Sequence, residues 1–312
     1  MKAPVCAIGL DVGGTKIAGG LVTPDGATLT RRIIPTRPER GGEAVLEDAL
    51  ALAACLRDEA SAAGRNVAAI GIGVAELVDL HGNVASAQTI PWRGVAVQER
   101  FARFAPAFVE ADARAAAFCE ARFGAGRNHR IFLYLTIGTG IGSSLVLDGV
   151  PYTGARGSSG TIASSPLTTI CPECGAESRP VLEQIASGPA LVTHYNQLTA
   201  KRVEKAEDVF AAATVGDRDA AHVLRTAGDA LGATVGSMVN MLDPEAVVVG
   251  GGLGMAGGLY WESFVASTRR HIWSDTHRDL PIVMAAHGSD SGFVGAAALA
   301  LALQRATALL KS

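Results

Sequence analysis

Asp112 stands in the stretch "VEADARAAA", Val109 to Ala117, where an apolar run meets an alanine-rich segment. A carboxylate at such a position has two interpretations. It can be a general base that deprotonates a hydroxyl group, a role that contributes about 10²–10⁴-fold to a rate. It can instead be an ordinary acidic residue at the start of a helix, where negative charge is stabilising. The rest of the chain has to decide between them.

Two glycine-rich stretches have the composition of anion-binding loops. They are "DVGGTK", from Asp11 to Lys16, and "TIGTGIG", from Thr136 to Gly142, and apolar β-type runs flank both. Glycine leaves backbone amides unshielded, so that successive N–H groups can form a nest for phosphate oxygens. Each loop alone is equally consistent with a plain hairpin turn. Neither has the spacing of a P-loop, and neither leads directly into a helix as the dinucleotide-binding fingerprint requires.

Apolar periodicity predicts the elements that would position these groups. The predicted strands are "VCAIGLDVG", "KIAGGLVT", "ATLTRRIIPT", "NVAAIGIGVA", "PAFVEA", "RIFLYLT", "SSLVL", "EAVVVGGG" and "LPIVMAA". The predicted helices cover residues 43–63, 113–123, 183–198, 206–214, 217–241, 256–271 and 292–310. The hairpin with a glycine turn therefore occurs twice, at 6–23 and 131–147. Duplicated α/β halves in a chain of 312 residues predict two domains with a ligand-binding cleft between them.

Composition narrows the class of protein. Hydrophobic residues make up 48% and charged residues 18%, as in soluble globular proteins. The net charge of −3 and the lack of a basic stripe argue against nucleic acid as a partner. The first residues resemble neither a signal peptide nor a membrane anchor, and no apolar run is expected to span a membrane. Five scattered cysteines predict reduced thiols and a cytoplasmic location.

Taken together, these motifs resemble the ROK family (repressors, open reading frames, kinases) of the actin/hexokinase-like sugar-kinase superfamily. The stretches "GLDVGGTKIAGGLVTPDG" and "TIGTGIGSSLVLDG" resemble the family's two phosphate motifs. "LDPEAVVVGGG" is similar to its nucleotide-binding strand, "SGFVGAAALA" to its final helix, and "LEQIASGPAL" to the segment after its zinc cluster. The resemblance implies an α/β, duplicated, ribonuclease-H-like fold. It predicts a smaller domain of residues 1–115 plus 292–312 and a larger domain of residues 116–291.

The resemblance also implies an enzyme that uses ATP and Mg²⁺ to phosphorylate a sugar hydroxyl. The family's catalytic aspartate maps onto Asp112, which favours the general-base interpretation. Phosphoryl transfer depends otherwise on positioning and on neutralising phosphate charge. The residues implied to bind ATP and its phosphates are Asp11, Gly13, Gly14, Thr15, Lys16, Thr136, Gly138, Thr139, Gly140, Gly250, Gly251 and Gly252.

The sugar-binding motifs depart from the family. The asparagine that normally precedes the catalytic aspartate and hydrogen-bonds the sugar is Ala111 here. The family's His-Gly-x-x-Gly-Glu-x-Gly-His aligns with "RGSSGTIAS", which replaces the histidines by Arg156 and Ser164 and the glutamate by Thr161. Each lost hydrogen bond is worth about 0.5–1.5 kcal/mol, so several losses predict weak glucose binding. The expected acceptor is an amino sugar, a cyclitol or a sugar acid.

The family's zinc cluster is also incomplete. Its Cys-x-Cys-Gly-x-x-Gly-Cys-x-Glu aligns with "CGAESRPVLE", so that Cys174 and Glu183 survive while Ala176 and Val181 replace two cysteines. Structural zinc requires four ligands, and "CPEC" with Cys171 has no second pair nearby. The sequence therefore predicts no structural zinc and two free thiols.

Two candidate acceptor contacts each keep an alternative. Arg156 either faces the pocket, where it would favour an anionic or highly hydroxylated acceptor, or is an exposed loop arginine. Glu183 either contacts a ligand hydroxyl or ammonium, or pairs with Arg179 or Arg156. The predicted acceptor-binding set is Glu183, Arg156, Thr161, Ser164 and Glu76.

Two further charges follow predicted strands. Glu76 occupies a loop position where the family usually has glycine, and is either a new acceptor contact or a solvated charge. Arg114, two residues after Asp112, is interpreted as a structural ion-pair partner of Glu110 or Glu120.

The predicted function is ATP-dependent phosphorylation of a non-glucose, sugar-like acceptor. One alternative is a catalytically impaired binding or regulatory protein, which the missing sugar contacts would explain. Another is an ordinary glucokinase or fructokinase. A repressor of this family carries a helix-turn-helix region before the first phosphate motif, and that motif begins here at Asp11, so a kinase is expected instead. The resemblance also predicts a homo-oligomer, with a dimer favoured.

Overall fold

The chain forms two compact units in a computed structural model that describes residues 3–170 and 173–311. The first unit comprises Met1–Arg130, Ser144–Ser159 and Ser289–Ser312. The second comprises Ile131–Ser143 and Gly160–Gly288. Both are α/β structures built on a mixed five-stranded sheet.

The first sheet brings the ends of three parallel strands to one edge. Its strands are β1 (Val5–Val12), β2 (Lys16–Val22), β3 (Thr28–Pro35), β4 (Asn66–Val74) and β5 (Ala107–Ala111), in the order β3-β2-β1-β4-β5. β1, β2 and β3 form an antiparallel meander, whereas β4 and β5 run parallel to β1. Asp11 lies opposite Gly73, which lies opposite Glu110. Asp112 follows directly after β5, and Glu76 stands two residues after the end of β4, at this edge.

Helices cover both faces of the first sheet. The helices of the first unit are α1 (Gly42–Ala62), α2 (Val97–Ala102), α3 (Asp112–Phe123) and α9 (Ser291–Lys311). Residues of α1 and α2 share a core with one face of the sheet, and residues of α3 and α9 share a core with the other. Two glycines allow α9 to approach the strands: a Cβ at Gly9 would lie 1.9 Å from Phe293 O, and one at Gly71 would lie 1.8 Å from Ala296 O.

Among the described residues, the second unit contains most of the second five-stranded sheet, together with five α-helices. The remaining strands are β6 (Ile131–Ile137), β7 (Ile141–Leu147), β8 (Val150–Pro151), β9 (Thr169–Ile170), β10 (Glu177–Ser178), β11 (Ala246–Gly250) and β12 (Ile282–Met284). The helices are α4 (Glu183–Ala186), α5 (Gly188–Leu198), α6 (Ala206–Thr214), α7 (Arg218–Leu242) and α8 (Gly258–His271). The sheet has the order β12-β11-β6-β7-β8, and β9 pairs separately with β10. β6, β11 and β12 are parallel, and α7 and α8 pack with them in one apolar core.

The bounds of the two units differ from the predicted division at residues 115 and 116. The first unit extends through α3 to Arg130, because α3 packs closely against α9: a Cβ at Gly295 would lie 1.8 Å from Ala115 O. This extension and the hairpin from Ser144 to Ser159 together make the first unit the larger of the two. That hairpin comprises the end of β7 and all of β8, at one end of the second sheet.

One helical region among the described residues is long and apolar enough to cross a membrane by composition. It spans Gly288–Leu309, with a mean hydropathy of 1.4, and thereby differs from the expectation that no run reaches that length. Half of this window is buried, and it contains most of α9, which packs on β1, β4 and α3. Its apolar composition is explained by that place in the core of the first unit.

Candidate active site

The first glycine loop is a tight turn braced by two threonines. It connects β1 to β2, and Gly13 N donates to Lys16 O at 3.0 Å. Thr36, which is fully buried after β3, donates from Oγ1 to Gly13 O at 2.6 Å. A Cβ at Gly14 would lie only 2.6 Å from Thr89 Cγ2. The sequence interpretation missed Thr36 and Thr89, although Thr36, a hydroxyl residue at the end of the predicted strand "ATLTRRIIPT", was an available signal.

Asp112 begins α3 at the carboxyl end of β5, where the chain passes from strand to helix. Its Oδ1 accepts a hydrogen bond from Ala113 N at 2.6 Å. The pKa of Asp112 is raised to about 6, mainly by desolvation on burial; the charge of Glu76 contributes to the rise, and the Ala113 amide and Arg114 oppose it. A carboxylate whose pKa lies near neutrality is suited to accept a proton.

Asp11 and Asp112 form an interacting acidic pair. Burial is the main cause that raises the pKa of Asp11 to about 7, and the negative charge of Asp112 adds to it. The Lys16 ammonium opposes this rise. Carboxylate oxygens are the ligands that Mg²⁺ prefers, and Asp11, at the first glycine loop, is the member of the pair that would hold the ion.

Glu76 is not a solvated charge, because its carboxylate is buried and hydrogen-bonded within its own unit. Its oxygens accept hydrogen bonds from Thr89 N at 2.5 Å, Ile90 N at 2.7 Å and Gln88 N at 3.0 Å, as well as from the Ser86 hydroxyl. The interpretation as a solvated charge is therefore wrong. The carboxylate organises the segment 86–90, whose Thr89 in turn contacts the first glycine loop.

The second glycine loop is fixed from three sides within the second unit. It leaves the end of β6, and Gly138 N donates to Gly140 O at 2.9 Å. The amide of Gly188, at the start of α5, donates to Gly138 O at 2.9 Å. Glu183 Oε2 accepts a hydrogen bond from Ile141 N at 2.8 Å. Thr136 is half-buried and Thr139 exposed at this loop.

The glycines after β11 lie against the same loop. Leu253 N and Gly254 N both donate to Ile137 O, at 3.0 and 3.1 Å. Gly251 has a φ of +81°, and a Cβ there would lie 2.4 Å from Ile137 O, so that only glycine fits. Thr136, Gly138 and Gly250 to Gly252 are therefore brought together at the carboxyl ends of β6 and β11.

The backbone at this edge of the second unit is open at two of its glycines. A Cβ at Gly138 or at Gly252 would meet nothing within 4 Å, which leaves bare backbone facing open space. Open backbone at glycine turns is a common arrangement for approaching phosphate oxygens, but the amides of Gly138, Gly188 and Ala190 already donate to Gly140 O, Gly138 O and Ser187 Oγ. The predicted ATP-binding residues thus fall into two groups, one in each unit.

The remaining acceptor candidates lie on loops. Arg156 is exposed in the segment after β8, within the first unit. Thr161 and Ser164 are exposed at a short helical turn of the second unit, where Ser164 Oγ donates to Thr161 O at 3.0 Å. The alternative partner of Glu183, Arg179, is instead paired with Glu177 at 2.7 Å. Cys174 is exposed and has a free thiol, whereas Cys171 lies outside the described residues.

Comparison with known proteins identifies relatives along nearly the whole chain. The ROK family model matches residues 7–303. A glucokinase of Streptomyces coelicolor is 34% identical over 318 residues, which cover 94% of this chain and 96% of that protein. An N-acetylmannosamine kinase of Yersinia pseudotuberculosis is 31% identical over 293 residues, which cover 93% of this chain and 96% of that protein.

Solved structures give the same result. The crystal structure of a ROK family glucokinase from Streptomyces griseus, in complex with glucose and AMPPNP, has a TM-score of 0.83 and 30% identity, covering 95% of this chain and 99% of that one. The ROK hexokinase of Thermus thermophilus has a TM-score of 0.78 and 32% identity, covering 96% and 99%. The predicted actin/hexokinase-like α/β fold is thereby confirmed. The chain belongs to the ROK family.

Proposed function

We propose that this protein is a kinase that transfers the terminal phosphoryl group of ATP to a hydroxyl of a sugar or sugar-like acceptor. The observation that carries the proposal is the position of Asp112 at the carboxyl end of β5, beside Asp11 and the first glycine loop. Family membership and the kinases among its relatives support the same reaction class.

In the proposed reaction Asp112 removes the proton from the acceptor hydroxyl. The acceptor oxygen then bonds to the terminal phosphorus, and the bond from that phosphorus to the bridging oxygen breaks, leaving ADP. The side chains near the acceptor would align one acceptor oxygen with the terminal phosphorus. Positioning of this kind supplies much of the rate enhancement of phosphoryl transfer. Mg²⁺, when bound by Asp11, would neutralise phosphate charge.

We also propose that glucose is not the preferred acceptor. The support is chemical: Ala111 cannot hydrogen-bond a sugar, Thr161 and Ser164 replace an acid and an imidazole, and Arg156 introduces a permanent charge. Identity to relatives does not decide the acceptor, because glucokinases and an N-acetylmannosamine kinase match this chain at similar levels, 34%, 30% and 31%.

The experiment is a coupled assay of ADP release with the wild type and Asp112→Asn. Sugars, amino sugars, cyclitols and sugar acids are the acceptors, and ATP binding is measured by calorimetry. We expect Asp112→Asn to retain ATP binding and lose about 10²-fold or more of turnover. Near-normal turnover in this variant would remove Asp112 from the mechanism. ATP binding without turnover of any acceptor in the wild type would favour the binding or regulatory alternative, and efficient glucose turnover would favour an ordinary glucokinase.

A further inference from the structure

The guanidinium of Arg114 is buried, with only 3% of its side chain exposed, and all three of its nitrogens donate hydrogen bonds. Nε donates to Glu110 Oε1 at 2.6 Å. Nη1 donates to Gly157 O at 2.7 Å, and Nη2 donates to Val78 O at 2.8 Å. The ion pair with Glu110 agrees with the structural role predicted from the sequence, but the two carbonyl contacts give Arg114 a second role.

These two carbonyls belong to separate loops of the first unit. Val78 follows β4 and forms an isolated antiparallel bridge with Val84. Gly157 lies in the segment 153–159, here named the acceptor loop, which also carries Arg156. The loops touch directly, because a Cβ at Gly157 would lie 2.1 Å from Val78 O, and Gly157 has a φ of +79°.

Only arginine can make this set of contacts. Its planar fork presents donors in fixed, divergent directions, whereas lysine offers one point charge on a flexible stem. A buried cation also needs full hydrogen bonding and a counter-charge, which Glu110 supplies. Arg114 lies in the first turn of α3, two residues after Asp112, so the same helical turn carries the proposed base and holds the acceptor loop.

We propose that Arg114 is a positioning residue that fixes the acceptor loop, and with it Arg156, relative to Asp112, and thereby restricts which acceptor the enzyme takes. The inference rests on the proposed function, in which Asp112 is the base and Arg156 helps to select the acceptor. Arg114 touches neither reactant in this account and acts through the loop that it holds.

The placement of the loop is tested without any kinase assay by limited trypsin digestion. Arg156 is exposed, but the bond that trypsin would cut joins it to Gly157, which is buried and whose carbonyl Arg114 holds. Arg114→Met should accelerate cleavage between residues 156 and 157, followed by mass spectrometry, by about tenfold or more, as expected from the loss of charged hydrogen bonds. An unchanged cleavage rate would overturn the proposal.

Matched variants separate release of the loop from general instability. Gly157→Ala disturbs the same contact from the loop side and should accelerate the same cleavage, even if Arg114→Met folds poorly. Gly149→Ala is its control, because Gly149 has a similar φ of +77° but a Cβ there would meet nothing within 4 Å. Arg122→Met removes an exposed guanidinium from the same helix. Both controls should be cut at the wild-type rate; faster cleavage in either would count against the proposal.

The effect on the acceptor site is measured by steady-state kinetics, which give the KM for the acceptor, the KM for ATP and kcat separately. Arg114→Lys keeps a positive charge beside Asp112 but loses the fork, so it and Gly157→Ala should raise the acceptor KM about tenfold and leave the ATP KM unchanged. A merely structural role would reduce the amount of active enzyme with both KM values unchanged, and that result would overturn the proposal. Digestion does not depend on turnover. Near-normal turnover in Asp112→Asn would therefore refute the proposed function and leave the placement of the loop by Arg114 to the digestion result.

Discussion

Gly292, in the first turn of α9, lies directly against the carboxylate of Asp11. A Cβ at Gly292 would come within 2.3 Å of Asp11 Oδ2 and 2.6 Å of Asp11 Cγ. Any larger residue must therefore displace a carboxylate that interacts with both Asp112 and Lys16. The final helix thus helps to set the geometry of the first phosphate loop, although 281 residues separate the two positions (292 minus 11).

We predict that Gly292→Ala lowers kcat/KM for ATP by about tenfold or more, since even small displacements of catalytic groups are costly. The fold should survive, because the α9 backbone at this position has no left-handed φ. Initial rates at varied ATP, together with a thermal melt, provide the measurement. Wild-type kinetics in a folded Gly292→Ala variant would show that activity does not depend on the present position of the Asp11 carboxylate.

The sequence predicted most elements but few of the contacts that shape the site. Strong periodicity placed the long helix at 217–241, which is α7 (Arg218–Leu242), and the strand pair of the first glycine loop. The helix predicted at 183–198 is instead divided into α4 and α5, because Ser187 caps a new helix by accepting a hydrogen bond from Ala190 N. The short helix α2 was not predicted, since six residues carry little periodicity.

Long-range hydrogen bonds explain why the roles of single charges were harder to predict. The ion pair of Arg114 with Glu110 follows helical spacing and was among the predicted alternatives. Its bond to Gly157 O crosses 43 positions, and that of Glu183 to Ile141 N crosses 42. Glu76 was misinterpreted for the same reason, because backbone amides 12 to 14 residues away have no sequence signature.

Asp112 should make the protein less stable as the pH rises. Burial raises the pKa of Asp112 from 3.8 to about 6, so between these values the folded state binds more protons than the unfolded state. The free energy of unfolding must then fall as the pH rises through this window. Asp112→Asn removes the ionisation and should be more stable than wild type by about 3 kcal/mol at pH 8, with an advantage below about 1 kcal/mol at pH 4.

Urea denaturation of both proteins at the two pH values provides the measurement. An Asp112→Asn variant that gains nothing at pH 8 would show that the ionised carboxylate is well solvated. In the wild type, the same pKa predicts that kcat/KM falls as the pH drops below about 6, because a protonated carboxyl cannot accept a proton. The charges of Asp11, Glu76 and Arg114 interact with Asp112, so the apparent pKa seen in the rate profile belongs to this group of residues and not to Asp112 alone.

Glu183 is predicted to act on the nucleotide side through the second glycine loop. Glu183→Ala leaves the Ile141 amide without its partner and should raise the ATP KM about tenfold. Glu183→Gln retains an oxygen acceptor and should stay within about threefold of the wild type. Steady-state kinetics that vary each substrate in turn would check this. A raised acceptor KM in Glu183→Gln, with an unchanged ATP KM, would instead favour direct contact with the acceptor.

The purified protein is predicted to carry no stoichiometric zinc. Only Cys174 and Glu183 remain at the aligned positions of the family's cluster, and Ala176 and Val181 offer no ligand atoms. Elemental analysis after dialysis, with Cys174→Ser as the comparison, provides the test. About one zinc per chain that disappears in the variant would establish a site that the aligned residues do not account for.

The placement of α9 has a consequence for synthesis on the ribosome. This helix fills the core on one face of the first sheet, against Gly9 and Gly71, yet it is translated after every other element of the chain described here. In the nascent chain, that apolar face of the first sheet therefore remains uncovered while the second unit is synthesised. Such delayed closure prolongs the interval in which exposed strands can aggregate, so chaperone dependence during translation should exceed that of a contiguous domain of equal size.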